Sequence, residues 1–156
     1  METPVFRMSS RRSLSLYHSY LIAFTLGKKM IRVLIVDDES AVRQGLRMRL
    51  SAEPDVQVIG ETANGQAALD LVQALQPEVV LMDVTMPQLD GIDATEALHA
   101  ISPNTAVVML TVYDDAAMRA RARAAGAVAF ITKGSEMNEL LATIRWAAGQ
   151  GLSNLP

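Results

Sequence analysis

The sequence predicts an α/β fold, in which a doubly wound, five-stranded parallel sheet carries helices on both faces. From Met30 onward, short apolar runs alternate five times with amphipathic helical patterns. The connections between them are short, which favours parallel strands joined by right-handed crossovers. The run from Val79 to Met82 is apolar throughout, as expected of a strand that is buried on both faces.

Turn and cap signals divide this alternating pattern into elements. Strands are predicted over 31–36, 56–59, 79–82, 105–110 and 127–131, each followed by a helix. Ser40 and Ser135 are candidate N-caps of the first and last helices, because a serine hydroxyl can accept from a free backbone N–H there. The pairs Asn64-Gly65 and Asp90-Gly91 begin the second and third helices, and Asp114-Asp115 begins the fourth. Gly126 is predicted to end the fourth helix, and Gly149 to Gly151 the last.

Length and composition indicate one domain and are compatible with a reducing compartment. The chain has 156 residues, half of them hydrophobic and none of them cysteine, which excludes disulfides and thiolate chemistry. We therefore expect a cytoplasmic protein. Of the net charge of −3, residues 1–29 carry +4 (five basic residues and one acid), so the remainder carries −7. A domain this acidic is a poor partner for nucleic acid, so any DNA contact must come from a domain absent from this chain.

Residues 1–29 differ from the rest of the chain. They are rich in Arg and Ser, followed by an apolar stretch that is too short and too polar to span a bilayer. We expect a disordered extension, or a start codon assigned too far upstream with Met30 as the true beginning. The alternatives are a short amphipathic helix and a signal peptide. Residues 30–149 form the predicted domain, and 150–156 begin a C-terminal linker.

Reactive side chains follow four of the predicted strands. Asp37 and Asp38 follow the first, Asp83 the third, Thr111 the fourth and Lys133 the fifth. The ends of parallel strands share one edge of the sheet, and in the strand order 2-1-3-4-5 the first and third strands are neighbours at the topological switch point. The acids should therefore lie together at this edge.

Such an acid cluster predicts a magnesium site and phosphoryl transfer. Closely packed carboxylates cannot all stay ionised without a counter-charge, and an all-oxygen ligand set suits Mg²⁺. A metal ion, a lysine and a hydroxyl around one carboxylate are what phosphoryl transfer to that carboxylate requires, because this chemistry depends on positioning and charge neutralisation.

Four motifs resemble the receiver domain of two-component response regulators. They are Val-Asp-Asp-Glu after the first strand, Leu-Met-Asp-Val-Thr-Met-Pro-Gln-Leu-Asp-Gly around Asp83, Leu-Thr-Val-Tyr at Thr111 and Ala-Phe-Ile-Thr-Lys at Lys133. The resemblance covers Met30 to about Gly149. It implies the flavodoxin-like receiver fold and a phosphoprotein that is not a turnover enzyme, catalysing only its own phosphoryl capture and slow aspartyl-phosphate hydrolysis.

The resemblance also implies a role for each site residue. Asp83 would be phosphorylated by a sensor histidine kinase, while Asp38, Asp83 and the backbone carbonyl of Thr85 would bind Mg²⁺, with Asp37 assisting through water.

Around the phosphoryl group, Lys133 would pair with its oxygens and Thr111 would hydrogen-bond them. Phe130 would turn inward as Thr111 moves. This change would alter the surface formed by the fourth helix, fifth strand and last helix, which would control homodimerisation or an output domain.

Two features depart from many receivers. Gly134 follows Lys133 where a cis proline is common, so we expect a trans bond and a looser loop, because a cis bond without proline costs about 2.5 to 4 kcal/mol. The aromatic residue is Phe130 rather than tyrosine, so the inward state gains packing without a phenolic hydrogen bond. Gly134, Tyr113 and the C-terminal sequence resemble the NarL/FixJ-type subfamily, whose receivers precede a helix-turn-helix domain. The chain would be a truncated regulator or a stand-alone receiver.

Two other readings remain open at the level of sequence. A haloacid dehalogenase-type phosphohydrolase also uses a strand-end aspartate, but it needs a second acid two residues later, where this chain has Thr85. An unphosphorylated interaction module is the other reading, and the intact set of acids argues against it. Elsewhere, Arg119 and Arg123 beside Asp114 and Asp115 are interpreted as a solvated helix face.

Overall fold

A computed structural model describes residues 29–153 together with His18, Leu21 and Gly27, with side chains placed up to residue 149. Most of the predicted extension over 1–29, and linker residues 154–156, lie outside the described residues. Strands and helices alternate as β1 Ile31–Val36, α1 Ser40–Leu50, β2 Val56–Thr62, α2 Gly65–Leu75, β3 Val79–Asp83, α3 Gly91–Ile101, β4 Ala106–Thr111, α4 Ala116–Ala125, β5 Ala129–Thr132 and α5 Met137–Ser153.

The sheet confirms the predicted fold. All strand pairs are parallel and the order is β2-β1-β3-β4-β5. In the register, Val36 of β1 pairs with Met82 of β3, and Asp83 pairs with Leu110 of β4. The carboxyl ends of β1, β3 and β4 therefore reach the same edge of the sheet.

Helices cover the sheet on both faces, and β3 lies at the centre. Val80 and Met82 point into one apolar cluster with Val72 of α2 and Leu98 of α3. Val79 and Leu81 point into the opposite cluster, which contains residues of α1 and α5. Every residue of β3 is buried, and each large apolar side chain so buried contributes about 1.5 to 3 kcal/mol. Strand β3 is thus held from both sides, which fixes the position of Asp83 at its end.

Three of the predicted helix starts are confirmed by their capping bonds. The side chain of Asn64 accepts from the N–H of Ala67 at 2.7 Å, and that of Asp90 accepts from Asp93 at 2.9 Å. Asp115 caps α4 in the same way. Gly126 ends α4 with a φ of 110°, which a residue with a Cβ adopts only with strain.

The two predicted serine caps are wrong. Ser40 is the first residue of α1, and Glu39 occupies the cap position without a side-chain bond. Helix α5 begins two residues after Ser135, whose hydroxyl is hydrogen-bonded to the Thr132 hydroxyl at 2.9 Å instead. Local sequence allowed both caps, but the contacts of the strand-end loops determined the outcome.

Two elements are longer than predicted. Strand β2 continues to Thr62 because β1 offers it a full-length partner. Helix α5 continues through Gly149 and Gly151 to Ser153; an internal glycine costs a helix only about 1 kcal/mol relative to alanine. In the described part of the chain, no helix combines the length and apolarity needed to cross a membrane.

Gly91 allows the start of α3 to lie directly against the end of β3. A Cβ on this residue would lie 1.8 Å from the backbone oxygen of Asp83. The N–H of Gly91 also donates to the carbonyl of Val84 at 2.9 Å. Only glycine fits this approach, so α3 begins in contact with the backbone of Asp83.

Candidate functional site

Two carboxylates are buried together at the carboxyl edge of the sheet. Asp37 directly follows β1 and is fully buried, and Asp83 ends the neighbouring strand β3 and is 4% exposed. Asp38 and Glu39 continue the loop after Asp37 and are exposed. The structure thus brings the predicted acids together where β1 and β3 meet.

Lys133 reaches this acid cluster from the end of β5. Its Nζ lies 2.7 Å from Asp37 Oδ2, 3.3 Å from Asp83 Oδ1 and 3.5 Å from Glu39 Oε1. The lysine side chain is only 13% exposed. Because water screens such buried pairs little, this single cation interacts strongly with both aspartates.

Backbone and arginine contacts fix the loops that carry the acids. Asp37 Oδ1 accepts from the N–H of Glu39 at 2.9 Å, and Asp83 Oδ1 accepts from the N–H of Thr85 at 3.3 Å. Arg43 of α1 donates from Nη1 to the backbone carbonyl of Asp37 at 2.7 Å. These bonds hold the loops after β1 and β3 in place around the two carboxylates.

The environment of Asp83 disfavours its charged form. Burial raises the pKa of Asp83, and the negative charge of Asp37 raises it further, to about 6. Lys133 acts in the opposite direction, while a hydrogen bond with the side chain of Asp38 adds to the increase. At neutral pH Asp83 is therefore mostly ionised, but its carboxylate is more basic than an exposed aspartate.

Lys133 stays protonated in the same site. Burial alone would lower its pKa, but the hydrogen bond to Asp37 and the charges of Asp83 and Asp37 outweigh burial and raise the pKa. Lys133 is therefore a permanent cation, which can neutralise negative charge at this edge of the sheet.

The donor set fits a hard divalent cation. Asp37, Asp38 and Glu39 can each offer a carboxylate oxygen within 4.8 Å of the others, and Asp83 lies beside them. All of these donors are oxygens, which suit Mg²⁺ or Ca²⁺. Within the described residues, Lys133 pairs with three carboxylates, those of Asp37, Glu39 and Asp83. Burial is the main cause of the raised pKa of Asp83, and the negative charge of Asp37 adds to it; a second cation would offset that charge.

Thr111 lies at the same edge but faces another way. It ends β4 and is 3% exposed. Its Oγ1 accepts from the N–H of Tyr113 at 3.2 Å and approaches the Sδ of Met118 in α4 at 4.0 Å. Within the described residues no hydrogen bond links Thr111 to Asp83, so the hydroxyl is directed toward α4.

Phe130 is half-buried on the edge strand β5. Its ring packs against the apolar cluster that includes Met118 as a neighbour. The guanidinium carbon of Arg119 lies 5.1 Å from the centre of this ring, within the range of a cation–π contact. Arg119 also donates from Nε to Asp114 Oδ1 at 2.6 Å. The predicted solvated face of α4 is therefore exposed, but one of its arginines contacts Phe130.

Sequence reasoning missed two side chains of the site. Glu39 follows the predicted acids directly and joins them, which its adjacency could have indicated. Arg43 lies one helical turn after the loop and reaches back to the Asp37 carbonyl, and nothing in the local sequence distinguishes it from the other arginines of α1. The Thr85 residue contacts Asp83 through its N–H; the role of its carbonyl stays a prediction. The Lys133–Gly134 bond is trans, as predicted.

Most of the chain matches one protein family. The model of the response regulator receiver domain matches residues 33–145 of the chain. The chain belongs to the response regulator receiver family. This result confirms the resemblance that the four motifs predicted. It also agrees with the flavodoxin-like receiver fold of the structure.

Curated proteins that match the chain are named as response or transcriptional regulators. The response regulator GacA of Pseudomonas protegens is 41% identical over 122 residues, which are 78% of this chain and 57% of GacA. The transcriptional regulatory protein LiaR of Bacillus subtilis is 38% identical over the same shares of each chain. This receiver thus spans little more than half the length of the curated relatives it matches.

Solved structures of other receivers are similar. A LuxR-family response regulator from Aurantimonas sp. SI85-9A1 has a TM-score of 0.75 and 30% identity over 78% of this chain and 87% of that one. The receiver domain of NarL from Mycobacterium tuberculosis has a TM-score of 0.74 and 32% identity over 78% and 98%. These relatives agree with the predicted NarL/FixJ-type subfamily.

Proposed function

We propose that this receiver accepts a phosphoryl group from a sensor histidine kinase onto Asp83, with Mg²⁺, and converts that event into a change of its α4-β5-α5 surface. One observation carries the proposal: two buried carboxylates on neighbouring strands share a single buried lysine at the switch point of the sheet.

The transfer forms one bond and breaks one. A carboxylate oxygen of Asp83 attacks phosphorus as the bond between phosphorus and the histidine nitrogen breaks, and the imidazole leaves with that electron pair. Burial favours this step, because the raised pKa makes Asp83 a stronger nucleophile that is still mostly ionised at neutral pH. Asp83 is thus the phosphoacceptor.

Two positive charges are needed for the incoming group. Lys133, whose Nζ is 3.3 Å from Asp83 Oδ1, pairs with the phosphoryl oxygens. Asp38, Asp83 and the Thr85 carbonyl would hold Mg²⁺, with Asp37 assisting through water, and Glu39 lies within reach of Asp37 and Asp38. When bound, the metal supplies charge neutralisation for both the acids and the phosphoryl oxygens. Removing Mg²⁺ should therefore abolish capture.

The response begins at Thr111. A phosphoryl group adds about −1.5 to −2 charges and three acceptor oxygens, and the Thr111 hydroxyl can exchange its weak contact with Met118 for one of them. The vacated space then admits the ring of Phe130, which is half-buried and packs against the same apolar cluster as Met118. The result is a two-state change that α4 transmits to its outer surface.

The output follows from the relatives. Several of them are transcriptional regulators by name, and more than two fifths of each lies beyond the matched region. We infer that the phosphorylated receiver homodimerises and that DNA binding belongs to a domain outside this chain, as the net charge of −7 over residues 30–156 also suggests.

Capture from acetyl phosphate tests the proposal. Purified protein is incubated with acetyl phosphate, with and without Mg²⁺, and its intact mass is measured. We expect a stoichiometric gain of one phosphoryl mass that requires Mg²⁺ and is absent from Asp83→Asn. Asp93→Asn, which changes an exposed acid on α3, is the matched control and should gain the mass normally.

Three outcomes would contradict the proposal. Mass gain by Asp83→Asn would place the acceptor elsewhere. Continuous release of phosphate over many turnovers would favour a phosphohydrolase, although Thr85 occupies the position where that chemistry needs an acid. If the parent captures nothing with Mg²⁺ present, the chain is an unphosphorylated interaction module.

A further inference from the structure

Helix α4 contacts both parts of the proposed switch through two consecutive residues. Met118 lies beside the Thr111 hydroxyl, and Arg119 lies over the Phe130 ring. The contact of Arg119 has a clear orientation, because its Nε is bound to Asp114 at 2.6 Å while its guanidinium carbon lies 5.1 Å from the ring centre. Asp114, Arg119 and Phe130 form one chain of contacts, which we call the Arg119 contact.

The Phe130 ring, which Arg119 contacts, lies at the edge of the sheet and borders a groove. Phe130 lies on edge strand β5, so it has a neighbouring strand on one side only. A groove between α4 and β5 borders the ring, and its lining includes three alanines, Ala122, Ala127 and Ala129, together with Val128 and the side chains of Arg119 and Arg123. The ring packs against the apolar cluster on one side, and Arg119 is the charged side chain that lies over its face.

The geometry points to Arg119 as a positioning residue that holds Phe130 outward and so sets how readily the receiver switches. This inference rests on the proposed function of Phe130 as the moving aromatic. Asp114 acts through Arg119, because it orients the guanidinium over the ring without contacting the ring itself. Arg119 touches no reacting atom, so its effect is on the balance between outward and inward states.

The expected size follows from the exposure of the groups. The side chains of Arg119 and Asp114 are 42% and 58% exposed, so both the ion pair and the cation–π contact are weak. Their loss should raise the inward population of the unphosphorylated protein by about two- to fivefold. A small change of this kind adjusts a threshold without affecting folding.

Nuclear magnetic resonance of the full chain can measure this population. The protein is labelled with fluorophenylalanine, and its three phenylalanines are distinguished by Phe130→Leu. The Phe130 fluorine signal and the amide signals of β5 are recorded in unphosphorylated and phosphorylated parent. If the protein exchanges rapidly between two states, each chemical shift is the average of the two states weighted by their populations. A variant that changes only the populations therefore places each of these signals between its positions in the unphosphorylated and phosphorylated parent.

Arg119→Gln is compared with Arg121→Gln, which changes the same charge on the same helix. Within the described residues, Arg121 makes neither an ion pair nor a ring contact. We expect Arg119→Gln to move toward the phosphorylated state and Arg121→Gln to coincide with the parent. Asp114→Asn should move less in the same direction, and adding it to Arg119→Gln should change nothing further.

Each alternative result is decisive. The inference is overturned if Arg119→Gln coincides with the parent, if Arg121→Gln moves equally, or if Asp114→Asn acts as strongly in the Arg119→Gln background. Failure of the proposed function appears separately, as absence of Mg²⁺-dependent mass gain in the parent. If the parent shows no such mass gain, an unchanged Phe130 signal in Arg119→Gln still overturns the inferred role of Arg119 in holding the ring.

Discussion

At the β1–β3 end of the sheet edge, Asp37 and Asp83 are buried and held by a shared lysine, whereas at the β4–β5 end Phe130 is half-buried on an edge strand. We call the first the acid site and the second the switch edge. The acid site is fixed by charge-assisted bonds. The switch edge is held by a 4.0 Å contact to sulfur and an exposed cation–π contact. In the proposed function, chemistry and movement would therefore occupy different ends of one edge.

This difference follows from the position of the strands. Strand β3 lies at the centre and is buried along its whole length, while β5 has a partner on one side. Phosphoryl transfer depends on groups that do not need to rearrange during the reaction. A switch needs two states of similar free energy, which weakly held side chains provide. The predictions below test this division, from the largest expected effect to the smallest.

Removing the shared cation should have the largest effect. Lys133→Gln leaves the incoming phosphoryl oxygens without their protein cation, so we expect the capture rate to fall about 100- to 1,000-fold. The rate of mass gain with acetyl phosphate and Mg²⁺ measures this. Lys29→Gln, at an exposed lysine paired with Glu78, is the control. A rate for Lys133→Gln close to that of Lys29→Gln would exclude the proposed role of Lys133.

The glycine beneath the acid site should tolerate no side chain. Gly91→Ala places a Cβ against the backbone oxygen of Asp83, so we expect a loss of about 3 kcal/mol in the free energy of unfolding. Urea denaturation measures it. Gly45→Ala, within α1 and with open space around it, should instead gain about 0.5 to 1 kcal/mol. Equal effects at both positions would mean that the end of β3 is not rigid.

Asp83 should destabilise the metal-free protein when it is ionised. Its pKa is raised from 3.8 to about 6 by burial first and by Asp37 second. The folded protein therefore binds this proton more tightly than the unfolded chain, so the contribution of Asp83 to stability is full below about pH 4 and is lost as the pH rises through 6.

We therefore expect Asp83→Asn to stabilise the metal-free protein at pH 7 by about 1 to 3 kcal/mol and to flatten its stability between pH 4 and 6. Urea titrations across this range provide the measurement. Asp70→Asn, at an exposed acid on α2, serves as control. If Asp83→Asn is less stable than the parent at pH 7, Lys133 offsets the negative charge of Asp83 more fully than its contacts indicate.

The switch edge should show the smallest effect on capture. Thr111→Ala removes a hydroxyl that contacts Tyr113 and Met118 but not Asp83, so capture should stay within a few-fold of the parent and stability within about 1 kcal/mol. Dimerisation of the phosphorylated variant should be several-fold weaker, as measured by analytical ultracentrifugation. Thr105→Ala, at the opposite edge of the sheet, should dimerise normally; equal weakening by both would remove Thr111 from the switch.

The acid site was more predictable from the sequence than the switch edge. Asp37, Asp83 and Lys133 lie at or directly after strand ends, and parallel strand ends share an edge, so periodicity together with the strand order 2-1-3-4-5 brings these residues together. Strand and helix types were predicted correctly for the same reason. Gly91 was recognised as a turn signal, but its contact with the Asp83 carbonyl depends on how closely α3 packs, which local sequence does not encode.

The remaining features depend on tertiary contacts. Whether Arg43 points outward or toward Asp37 is decided by the path of the loop after β1, and whether Arg119 is solvated or lies over Phe130 is decided by the distance between α4 and β5. Ser135 shows the same limit, because its hydroxyl had two partners within reach and bonded to Thr132 rather than to a helix N–H.

The contact between Gly91 and Asp83 has one more consequence. Because α3 begins against the backbone of Asp83, any shift of that backbone would also move the start of α3. If Asp83 is the acceptor, as we propose, the side of the sheet that can rearrange without moving β3 is the opposite one, where α4 follows the loop after Thr111. The direction of the signal would then depend on how closely each helix lies against its neighbouring strand.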